Sequence, residues 1–413
     1  MKILFVNKYY HPSGGPETVL LQSKEKLESL GNEVILFSMQ HPRNLETRYS
    51  KYFVCNVDYN GSNSLFNQAR MSLNIFYSLE AKKKMELLLD EEKPDLAHLH
   101  NIYHQISPSI LPVLKKKNIP VVMTLHDFKL VCPNYTFLRG GQVCEECEGK
   151  HFYKAVKYKC VKGSYLKSLT CAVEMYLHKL FRIYERSVDR FIVLSQFSKE
   201  RFIRYGLPED KLIFLPNYIE IPSLPKSEAP ERYILFFGRL SDKNGIFTLI
   251  KAMRQLPEIK LLVLGEGEQQ ELILNYIREN EMDNIKILGF KQGEELRGLI
   301  RESYFTVFPN HGYHLCPMSI LESFAYNKPV IGSNRGSIPE LINDGIDGLL
   351  FEPGNVEDLA EKIKYLYRHP LLAQKMGISA RKKVEEKYSE EEYYYKLFDL
   401  YNDLIKNGGE NYV

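Results

Sequence analysis

The fold is decided by the opening segment of the chain, KILFV (Lys2–Val6), HPSGGPE (residues 11–17) and ETVLLQSKEKLESL (residues 17–30). The first stretch predicts a buried strand, because a strand covered on both faces needs no polar alternation. Pro16 and Gly31 bracket the third stretch, which predicts a helix with proline in its first turn and glycine just past its end. A strand, a glycine-rich loop and a helix in this order predict an α/β fold.

The same alternation recurs along the whole chain, with further strands predicted at residues 33–38, 95–100, 120–126, 190–195, 233–238, 260–265, 285–289, 305–309, 329–333 and 348–352. Four prolines between Pro216 and Pro230 predict a linker, because proline stiffens a chain without supplying a core. We therefore predict two doubly wound, Rossmann-like domains facing each other across a cleft, at residues 1–220 and 221–387. The apolar stripe of residues 388–413 predicts a final helix that crosses back to the first domain.

The composition is that of a globular protein with a sizeable core. Hydrophobic residues make up 44% of the 413 residues and charged residues 26%, which argues against long disorder. The net charge of +3 argues against a protein that coats nucleic acid, so we expect no nucleic-acid partner. No export signal is apparent, and no apolar run is long enough for a membrane-spanning helix. We expect a cytoplasmic protein, soluble or peripheral at the inner face of a membrane.

Three loops follow predicted strands, where doubly wound sheets bind their ligands. Adjacent Gly14 and Gly15 would let backbone amides approach a ligand closely, although a tight turn explains them equally well. Gly265 begins a Gly-Glu-Gly sequence typical of half a dinucleotide fingerprint, but Gln270 stands in place of the third glycine. Ser337 lies in GSNRGSIPEL (residues 332–341), whose amides would bind a diphosphate.

Five segments carry a family resemblance: HPSGGPE (residues 11–17), FFGRLSDKNGIFTLIKA (236–252), LVLGEGEQQEL (262–272), CPMSILESFAYNKPVIGSNRGSIPELI (316–342) and DGLLFEPGNVEDLAEKI (347–363). In their order and spacing the chain resembles, over nearly its whole length, retaining glycosyltransferases of family 4 of the bacterial cell-surface polysaccharide type. The resemblance implies the two-domain GT-B fold. It also implies transfer of a sugar from a nucleotide-sugar donor, held mostly by the second domain, to a glycan or polyprenyl-linked acceptor, held mostly by the first.

The resemblance assigns roles to individual residues. Arg239 matches the arginine that binds the donor diphosphate, where a fixed cation stabilises the charge of the leaving group. In the family a lysine usually stands directly before the glycine of this loop. Here Asn244 stands at that position, and Lys243 lies one position earlier. Glu322 matches the carboxylate that holds the ribose hydroxyls of the nucleotide. His126 matches a histidine that faces the transferred sugar.

His314 occupies the position of the first glutamate in the family's E-x7-E pair, which contacts the donor sugar. A histidine can hydrogen-bond a hydroxyl but has no fixed negative charge, so donor orientation or catalysis would differ. With an ordinary pKa of about 6.5, it would make activity depend on pH between about 5.5 and 7.5. A histidine that only fills the loop is an equal alternative.

Catalysis is expected to need no cofactor. A D-x-D pair, typical of the divalent-metal clamp of the other large glycosyltransferase fold, does not occur in the sequence. Arginine and helix amides can replace that cation. The resemblance implies that a phosphate oxygen of the departing nucleotide takes the acceptor proton on the same face of the sugar.

A cysteine- and lysine-rich insertion is predicted at about residues 128–170. Cys132, Cys144, Cys147 and Cys160 include a C-x-x-C pair, so a structural zinc and unligated thiols are equal alternatives, with His151 and Cys171 as spare ligands. Between residues 150 and 167 there are six lysines and no acidic residue, interleaved with four aromatic residues: Phe152, Tyr153, Tyr158 and Tyr165. These favour an anionic membrane surface as a partner, and a solvated loop is the alternative.

Other classes of protein stay open from the sequence alone. A nucleotide-sugar epimerase would share the fold and the donor pocket, and would convert the donor without any acceptor. A nucleotide-sugar-binding protein with impaired catalysis would explain His314. A zinc-bearing nucleic-acid module would explain the cysteines and lysines but not the second domain, and salt-sensitive binding would identify it.

Overall fold

The computed structural model of the protein describes residues 1–56, 74–223 and 232–408. The strands over these residues are β1 (Lys2–Val6), β2 (Glu33–Phe37), β3 (Leu96–Leu99), β4 (Val121–Thr124), β5 (Leu138–Arg139), β6 (Gln142–Val143), β7 (Arg190–Val193), β8 (Leu212–Phe214), β9 (Tyr233–Phe237), β10 (Lys260–Leu264), β11 (Ile285–Gly289), β12 (Phe305–Phe308), β13 (Val330–Ser333) and β14 (Gly348–Phe351). The linker prolines Pro225 and Pro230 lie outside the described residues.

The strands form two six-stranded parallel sheets. The first has the order β2-β1-β3-β4-β7-β8 and the second β11-β10-β9-β12-β13-β14. In the first sheet Ile3 pairs with Val34 on one side and Leu96 on the other. All residues of β3, β4, β9, β12 and β13 are buried, because helices cover both faces of each sheet. The predicted α/β class with two Rossmann-like domains is therefore confirmed.

The helices over the described residues include Gly15–Ser29, Leu79–Glu92, Leu111–Lys116, Tyr153–Lys157, Tyr165–Phe181, Ile183–Ser187, Gln196–Arg204, Ile246–Met253, Gln270–Glu279, Gly293–Glu302, Met318–Ala325, Ile338–Leu341, Val356–Arg368, Pro370–Lys387 and Glu390–Gly408. Local signals set several of their ends. Gly31 follows the first helix with a φ of 80°, a conformation that glycine adopts at low cost. Ser195 and Ser198 form a reciprocal capping box at the start of Gln196–Arg204.

The last helix returns to the first domain. Tyr401 lies fully buried with its hydroxyl 2.5 Å from Nδ1 of His98, which belongs to β3. Tyr394 and Tyr218 share a hydrogen bond of 2.8 Å between their hydroxyls. Lys26, in the first helix of the chain, forms an ion pair with Glu390. The helix thus packs its apolar stripe on the first sheet and its surrounding helices.

The cysteine-rich insertion forms a hairpin of β5 and β6 followed by the helices Tyr153–Lys157 and Tyr165–Phe181. Phe152, Ala155, Ala172 and Met175 give it a small apolar core of its own. Within the described part of the chain, no helix is both long and apolar enough to cross a membrane.

Candidate active site

Two loops that follow strands of different sheets meet in the cleft. Asp127 follows β4 of the first sheet, and Lys243 follows β9 of the second. Burial raises the pKa of the Asp127 carboxyl to about 6, and the cationic side chains of Lys129, Lys243 and Lys8 act in the opposite direction. Burial lowers the pKa of Lys243, and the Asp127 carboxylate opposes that change. The carboxylate of one domain and the ammonium group of the other therefore interact electrostatically, without forming a direct ion pair.

The loop that carries Lys243 is fixed by the loop after β12. The carbonyl oxygen of Lys243 accepts hydrogen bonds from the amides of His311 and Gly312, at 2.9 and 3.2 Å. A Cβ atom on Gly312 would lie 2.9 Å from Cγ of Lys243, so the lysine stem rests on this glycine. Asn244, in the position of the family lysine, donates its side-chain amide to the carbonyl oxygen of Arg239. Arg239 itself is exposed.

Three histidines stack in the first domain behind the cleft. His98 and His100, from β3 and its end, stack with ring centroids 4.5 Å apart, and His100 and His126 stack at 5.1 Å. His100 Nδ1 lies 2.8 Å from Nε2 of His126. Burial lowers the pKa of His126 to about 4 and that of His98 to about 3. The rings are therefore neutral near pH 7, and His126 can donate or accept a hydrogen bond without adding charge.

His314 lies beside Lys243, with its ring edge-on to Phe308 at a centroid distance of 5.3 Å. Burial, followed by the charge of Lys243, holds the pKa of His314 well below its ordinary range. The expectation that His314 titrates between pH 5.5 and 7.5 is therefore wrong, because a buried imidazole next to a cation stays neutral. Among the described residues its Nε2 is a buried atom with no hydrogen-bond partner.

The loop after β13 packs against the same segment. The Ser337 hydroxyl is buried and donates to the carbonyl oxygen of His314 at 2.8 Å. Gly336 has a φ of 63°, and a Cβ atom there would lie 3.3 Å from the ring of Tyr313. Arg335 donates to the carbonyl oxygen of His311. Ser337 thus holds the loop that carries His314, and its hydroxyl is committed to that loop.

Glu322 lies on the helix Met318–Ala325, half-buried beside the second sheet. Burial raises the pKa of its carboxyl to about 7, and the charge of Arg297 acts in the opposite direction. The side chain is therefore a mixture of carboxylic acid and carboxylate at neutral pH. Ionisation would be favoured by any ligand that donates hydrogen bonds to both of its oxygens.

The three predicted glycines have different environments. Gly14 and Gly15 are exposed at the start of the helix Gly15–Ser29, which has no side-chain cap, and a Cβ atom on Gly15 would meet nothing within 4 Å. Gly265 instead lies against β9, where a Cβ atom would be 1.9 Å from the carbonyl oxygen of Gly238. Its amide donates to the carbonyl oxygen of Gly289. Packing thus requires a glycine at position 265, and the amide of this glycine is not available to bind a nucleotide-sugar donor.

Family models match both halves of the chain. Residues 13–221 match the model described as glycosyltransferase family 4, and residues 220–383 match that of glycosyl transferases group 1. The chain belongs to glycosyltransferase family 4. The prediction of a sugar-transferring enzyme is therefore confirmed. The two matches meet at residues 220–221, beside the predicted linker.

Known proteins resemble this glycosyltransferase over most or part of its length. An uncharacterised glycosyltransferase of Methanocaldococcus jannaschii is 23% identical over 404 residues, which cover 98% of this chain and 99% of the relative. Poly(ribitol-phosphate) α-N-acetylglucosaminyltransferase of Staphylococcus aureus is 25% identical over 220 residues, 52% of this chain and 42% of the relative. The solved structure of Anabaena HepE in complex with UDP and glucose has a TM-score of 0.69 at 18% identity, covering 98% and 100% of the two chains. These likenesses confirm the GT-B fold.

The four cysteines of the insertion share one neighbourhood in the glycosyltransferase. Burial raises the pKa of Cys147 to about 12, and the charges of Cys132, Cys160 and Cys144 act in the same direction. All four are free thiols. Within the described residues, the ligating atoms that come within 4.8 Å of one another in a group of three belong to His104, Cys171 and Glu174, and not to these four cysteines.

The His104–Cys171–Glu174 group is already neutralised by a lysine. The Lys129 ammonium donates to the Glu174 carboxylate at 2.7 Å, and both side chains are almost fully buried. Cys171, expected as a spare zinc ligand, belongs to this group and not to the four cysteines of the insertion. The buried ammonium of Lys129 thus balances the negative charge of the Glu174 carboxylate, a role that a bound metal ion would otherwise have.

The insertion contacts two loops of the second domain. The Tyr313 hydroxyl donates to the Glu145 carboxylate at 2.9 Å, and Glu145 lies between Cys144 and Cys147. A Cβ atom on Gly141, at the β5–β6 turn, would lie 3.0 Å from the Asp242 carboxylate. The insertion therefore borders the cleft opposite the loops that carry Lys243 and His314.

Sequence reasoning missed several cleft residues. His100 and Asn101 follow β3, and each has a buried polar atom with no hydrogen-bond partner among the described residues. Asn310, after β12, has another. Asp127, directly after His126 in the sequence, is a further missed residue. The signal that would have found them is their position directly after predicted parallel strands, where ligands bind.

Proposed function

We propose that this glycosyltransferase transfers a sugar from a nucleoside-diphosphate sugar to a glycan or polyprenyl-linked glycan, with retention of configuration. The observation that carries the proposal is the meeting of Lys243, Asp127 and the unpartnered Nε2 of His314 in the cleft between the two sheets. A cation, a carboxylate and a neutral hydrogen-bonding group at this point fit the junction between a phosphate and a sugar.

The second domain is proposed to hold the donor. Arg239 and Lys243 would bind the diphosphate, together with the amides near Ser337, and Glu322 would accept hydrogen bonds from the ribose hydroxyls. Arg239 is exposed, and its charge opposes the rise that burial causes in the pKa of Tyr135 of the first domain, which supports a role at the junction of the domains. HepE, whose structure was solved with UDP and glucose, has the same fold, which supports a nucleoside diphosphate as the leaving group.

The proposed reaction needs no metal and no separate base. The bond between the anomeric carbon and the phosphate oxygen breaks, and the acceptor oxygen bonds to that carbon on the same face. The acceptor proton moves to the departing phosphate oxygen. Neutral His126 would hydrogen-bond a hydroxyl of the transferred sugar, and the cations of the second domain would stabilise the charge of the leaving group.

The acceptor is proposed to bind the first domain at the inner face of a membrane. A groove of about 920 Å³ lies in this domain, lined mostly by polar side chains that include His41, Asn44, Arg48 and Lys51. The His41 ring stacks at 4.5 Å on His11 of the HPSGGPE loop, so the groove begins beside that loop. The Staphylococcus aureus relative, named for transfer to poly(ribitol phosphate), supports a polymeric glycan or polyol-phosphate acceptor.

A zinc ion is proposed to hold the insertion together through Cys132, Cys144, Cys147 and Cys160. The mutual electrostatic interaction of their thiols supports it. Thiols with pKa values as high as 11 and 12 stay protonated unless a metal displaces the protons. Such a zinc would have a structural role, since the reaction uses none of these residues.

Donor binding tests the proposal directly. A set of nucleoside diphosphates and nucleotide sugars is screened for a rise in melting temperature, because a ligand that binds only the folded state stabilises it. Arg239→Ala is expected to weaken the binding of the selected nucleotide without changing the melting temperature of the free protein. Arg254→Ala, at an exposed position on another surface, is the matched control.

Product analysis separates transfer from the alternatives. NMR of the reaction with a soluble glycan acceptor should show a new glycosidic bond with the anomeric configuration of the donor. Conversion of the donor sugar without an acceptor would indicate an epimerase. Tight donor binding with no product in either reaction would indicate a nucleotide-sugar-binding protein.

A further inference from the structure

The helix Tyr165–Phe181 of the insertion presents an apolar face to solvent. Five side chains along it are exposed: Leu166 by 62%, Leu169 by 48%, Val173 by 37%, Tyr176 by 40% and Leu180 by 73%. They are spaced by three, four, three and four residues, which places them on one side of the helix. Soluble helices normally bury such a stripe, so this face is expected to have a partner.

The helix is held firmly by its opposite face. Ser168, Cys171, Ala172 and Met175 are buried there. On the same face Glu174 forms its buried ion pair with Lys129. Because the inner face is packed and ion-paired, the helix cannot rotate to bury its outer stripe without breaking these contacts.

Aromatic rings and lysines border the apolar face. Tyr165 and Phe181, at the two ends of the helix, are 58% and 62% exposed, and Tyr153 nearby is 54% exposed. Four exposed lysines lie at or just before the helix start: Lys157, Lys159, Lys162 and Lys167. Lys154 does not belong to this set, because its ammonium forms an ion pair with the Glu146 carboxylate. Phe152 is buried in the core of the insertion and cannot contact a membrane.

We propose that the outer face of the helix Tyr165–Phe181 inserts into the interface of an anionic lipid bilayer. The inference rests on the proposed transfer to a membrane-linked acceptor and names the surface that brings the enzyme to it. An apolar stripe flanked by lysines and tyrosines matches the acyl boundary and the anionic headgroups of such a surface. A second copy of the chain is a poorer partner, because the same lysines would face one another and repel.

The docked orientation would bring the cleft close to the lipid surface. Glu174 on the inner face accepts a hydrogen bond from the side-chain ammonium of Lys129. The backbone amide of Lys129 donates to the Asp127 carboxylate at 2.8 Å. The cleft is thus separated from the outer face by one helix, about 10 Å across with its side chains, and by the length of the Lys129 side chain. A polyprenyl-linked acceptor has its phosphate at the headgroups, so this distance suits it.

The test uses flotation of the full chain with vesicles of phosphatidylglycerol and phosphatidylcholine, and with vesicles of phosphatidylcholine alone. The unmodified protein should float with the anionic vesicles and lose binding as salt is raised. The double variant Leu169→Glu, Leu180→Glu should lower the bound fraction at least about tenfold, since two carboxylates enter the apolar layer. Lys157→Glu with Lys159→Glu should lower binding about fivefold or more per lysine.

Leu371→Glu with Ile378→Glu is the matched control, since both residues are exposed on a helix of the second domain, by 80% and 58%. This pair should leave flotation unchanged. Nucleotide binding and turnover on a soluble acceptor should be unchanged in all variants, so a failure of the proposed reaction is distinguished from a failure of docking. Equal flotation of the Leu169, Leu180 variant and the control would overturn the inference. So would a dimer in sedimentation that this variant abolishes, with no vesicle binding by the unmodified chain.

Discussion

The Nδ1 atom of His100 lies 2.8 Å from Nε2 of His126, and the two rings are stacked with 20° between their planes. One nitrogen of the pair must carry the proton and the other must accept it. The hydrogen bond therefore couples the tautomers of the two rings, and it leaves Nδ1 of His126 as the atom that can meet a sugar. His100 acts on the proposed reaction through His126, as a positioning residue.

His100→Ala is predicted to lower kcat about fivefold, the equivalent of about 1 kcal/mol for one lost hydrogen bond, with a smaller change in the KM for the donor. His100→Gln should recover part of the loss, because its side-chain amide can donate to that nitrogen or accept from it. Steady-state kinetics and melting temperature are measured together, with exposed His369→Ala as the control. A fall in melting temperature with unchanged kcat would indicate a purely structural role.

Glu322 is predicted to make nucleotide binding depend on pH. Its pKa in the free protein is raised by burial from 4.5 to about 7, and a ribose needs the ionised carboxylate. Affinity for the nucleoside diphosphate should therefore rise as pH increases through 7. Glu322→Gln should remove the part of this rise that comes from ionisation of the Glu322 carboxyl. Calorimetry at several pH values measures this, with exposed Glu361→Gln as the control. A pH dependence identical in both variants would count against the assignment.

The Glu322 carboxyl has the opposite effect on the stability of the free protein, which falls where nucleotide affinity rises. Because the folded state binds the proton more tightly than the unfolded state, stability falls as pH rises from 4.5 through about 7. Glu322→Gln should thus raise the melting temperature at pH values above 7 and have little effect below 4.5.

The positions of most strands and the two-domain architecture were predictable because buried parallel strands of four or five residues leave continuous apolar runs in the sequence. The missed strands are short: Leu212–Phe214 has three residues, and Leu138–Arg139 pairs with Gln142–Val143 over two. The hairpin did have a signal, since Gly140 and Gly141 both adopt positive φ, as a two-residue turn requires. Such short strands depend on tertiary contacts more than on their own pattern.

The site was only partly predictable for a different reason. The family resemblance pointed to Lys243 and His314 one at a time, but their shared environment comes from two loops that are distant in the sequence. The low pKa of His314 depends on burial and on Lys243, neither of which a motif contains. The Asp127–Lys243 approach depends on how two domains dock, which periodicity within each domain does not encode.

His314 is predicted to recognise the donor sugar without titrating. His314→Ala should weaken binding of the nucleotide sugar about fivefold and leave binding of the nucleoside diphosphate unchanged, because only the sugar reaches Nε2. His314→Gln should keep most of the affinity and the unmodified pH profile. Calorimetry with both ligands makes the comparison. Equal weakening of both ligands would show that the histidine supports the loop instead.

The zinc proposal predicts about one zinc ion per chain in protein purified without chelator. Cys144→Ser with Cys147→Ser should lose the metal and lower the melting temperature, whereas Cys55→Ser, an exposed thiol outside the insertion, should do neither. Elemental analysis of the three proteins is the measurement. Metal-free, fully active protein would leave the four residues as plain thiols.

The approach of Asp127 to Lys243 predicts a competition that donor binding must resolve. In the free enzyme the Lys243 ammonium interacts electrostatically with the Asp127 carboxylate, and a diphosphate would offer it a stronger anionic partner. Lys243→Met should therefore weaken nucleoside-diphosphate binding about tenfold, while Asp127→Asn should strengthen it by a few-fold, because the competing carboxylate is gone.

The double variant separates this competition from simple repulsion between Asp127 and the phosphates. If Asp127 acts through Lys243, Asp127→Asn should have no effect once Lys243 is Met, so the two changes are not additive. Direct repulsion instead predicts that Asp127→Asn strengthens binding equally in both backgrounds. Dissociation constants of the four proteins, measured at the same ionic strength, decide between these outcomes, and additive effects would show that the lysine does not move from carboxylate to phosphate.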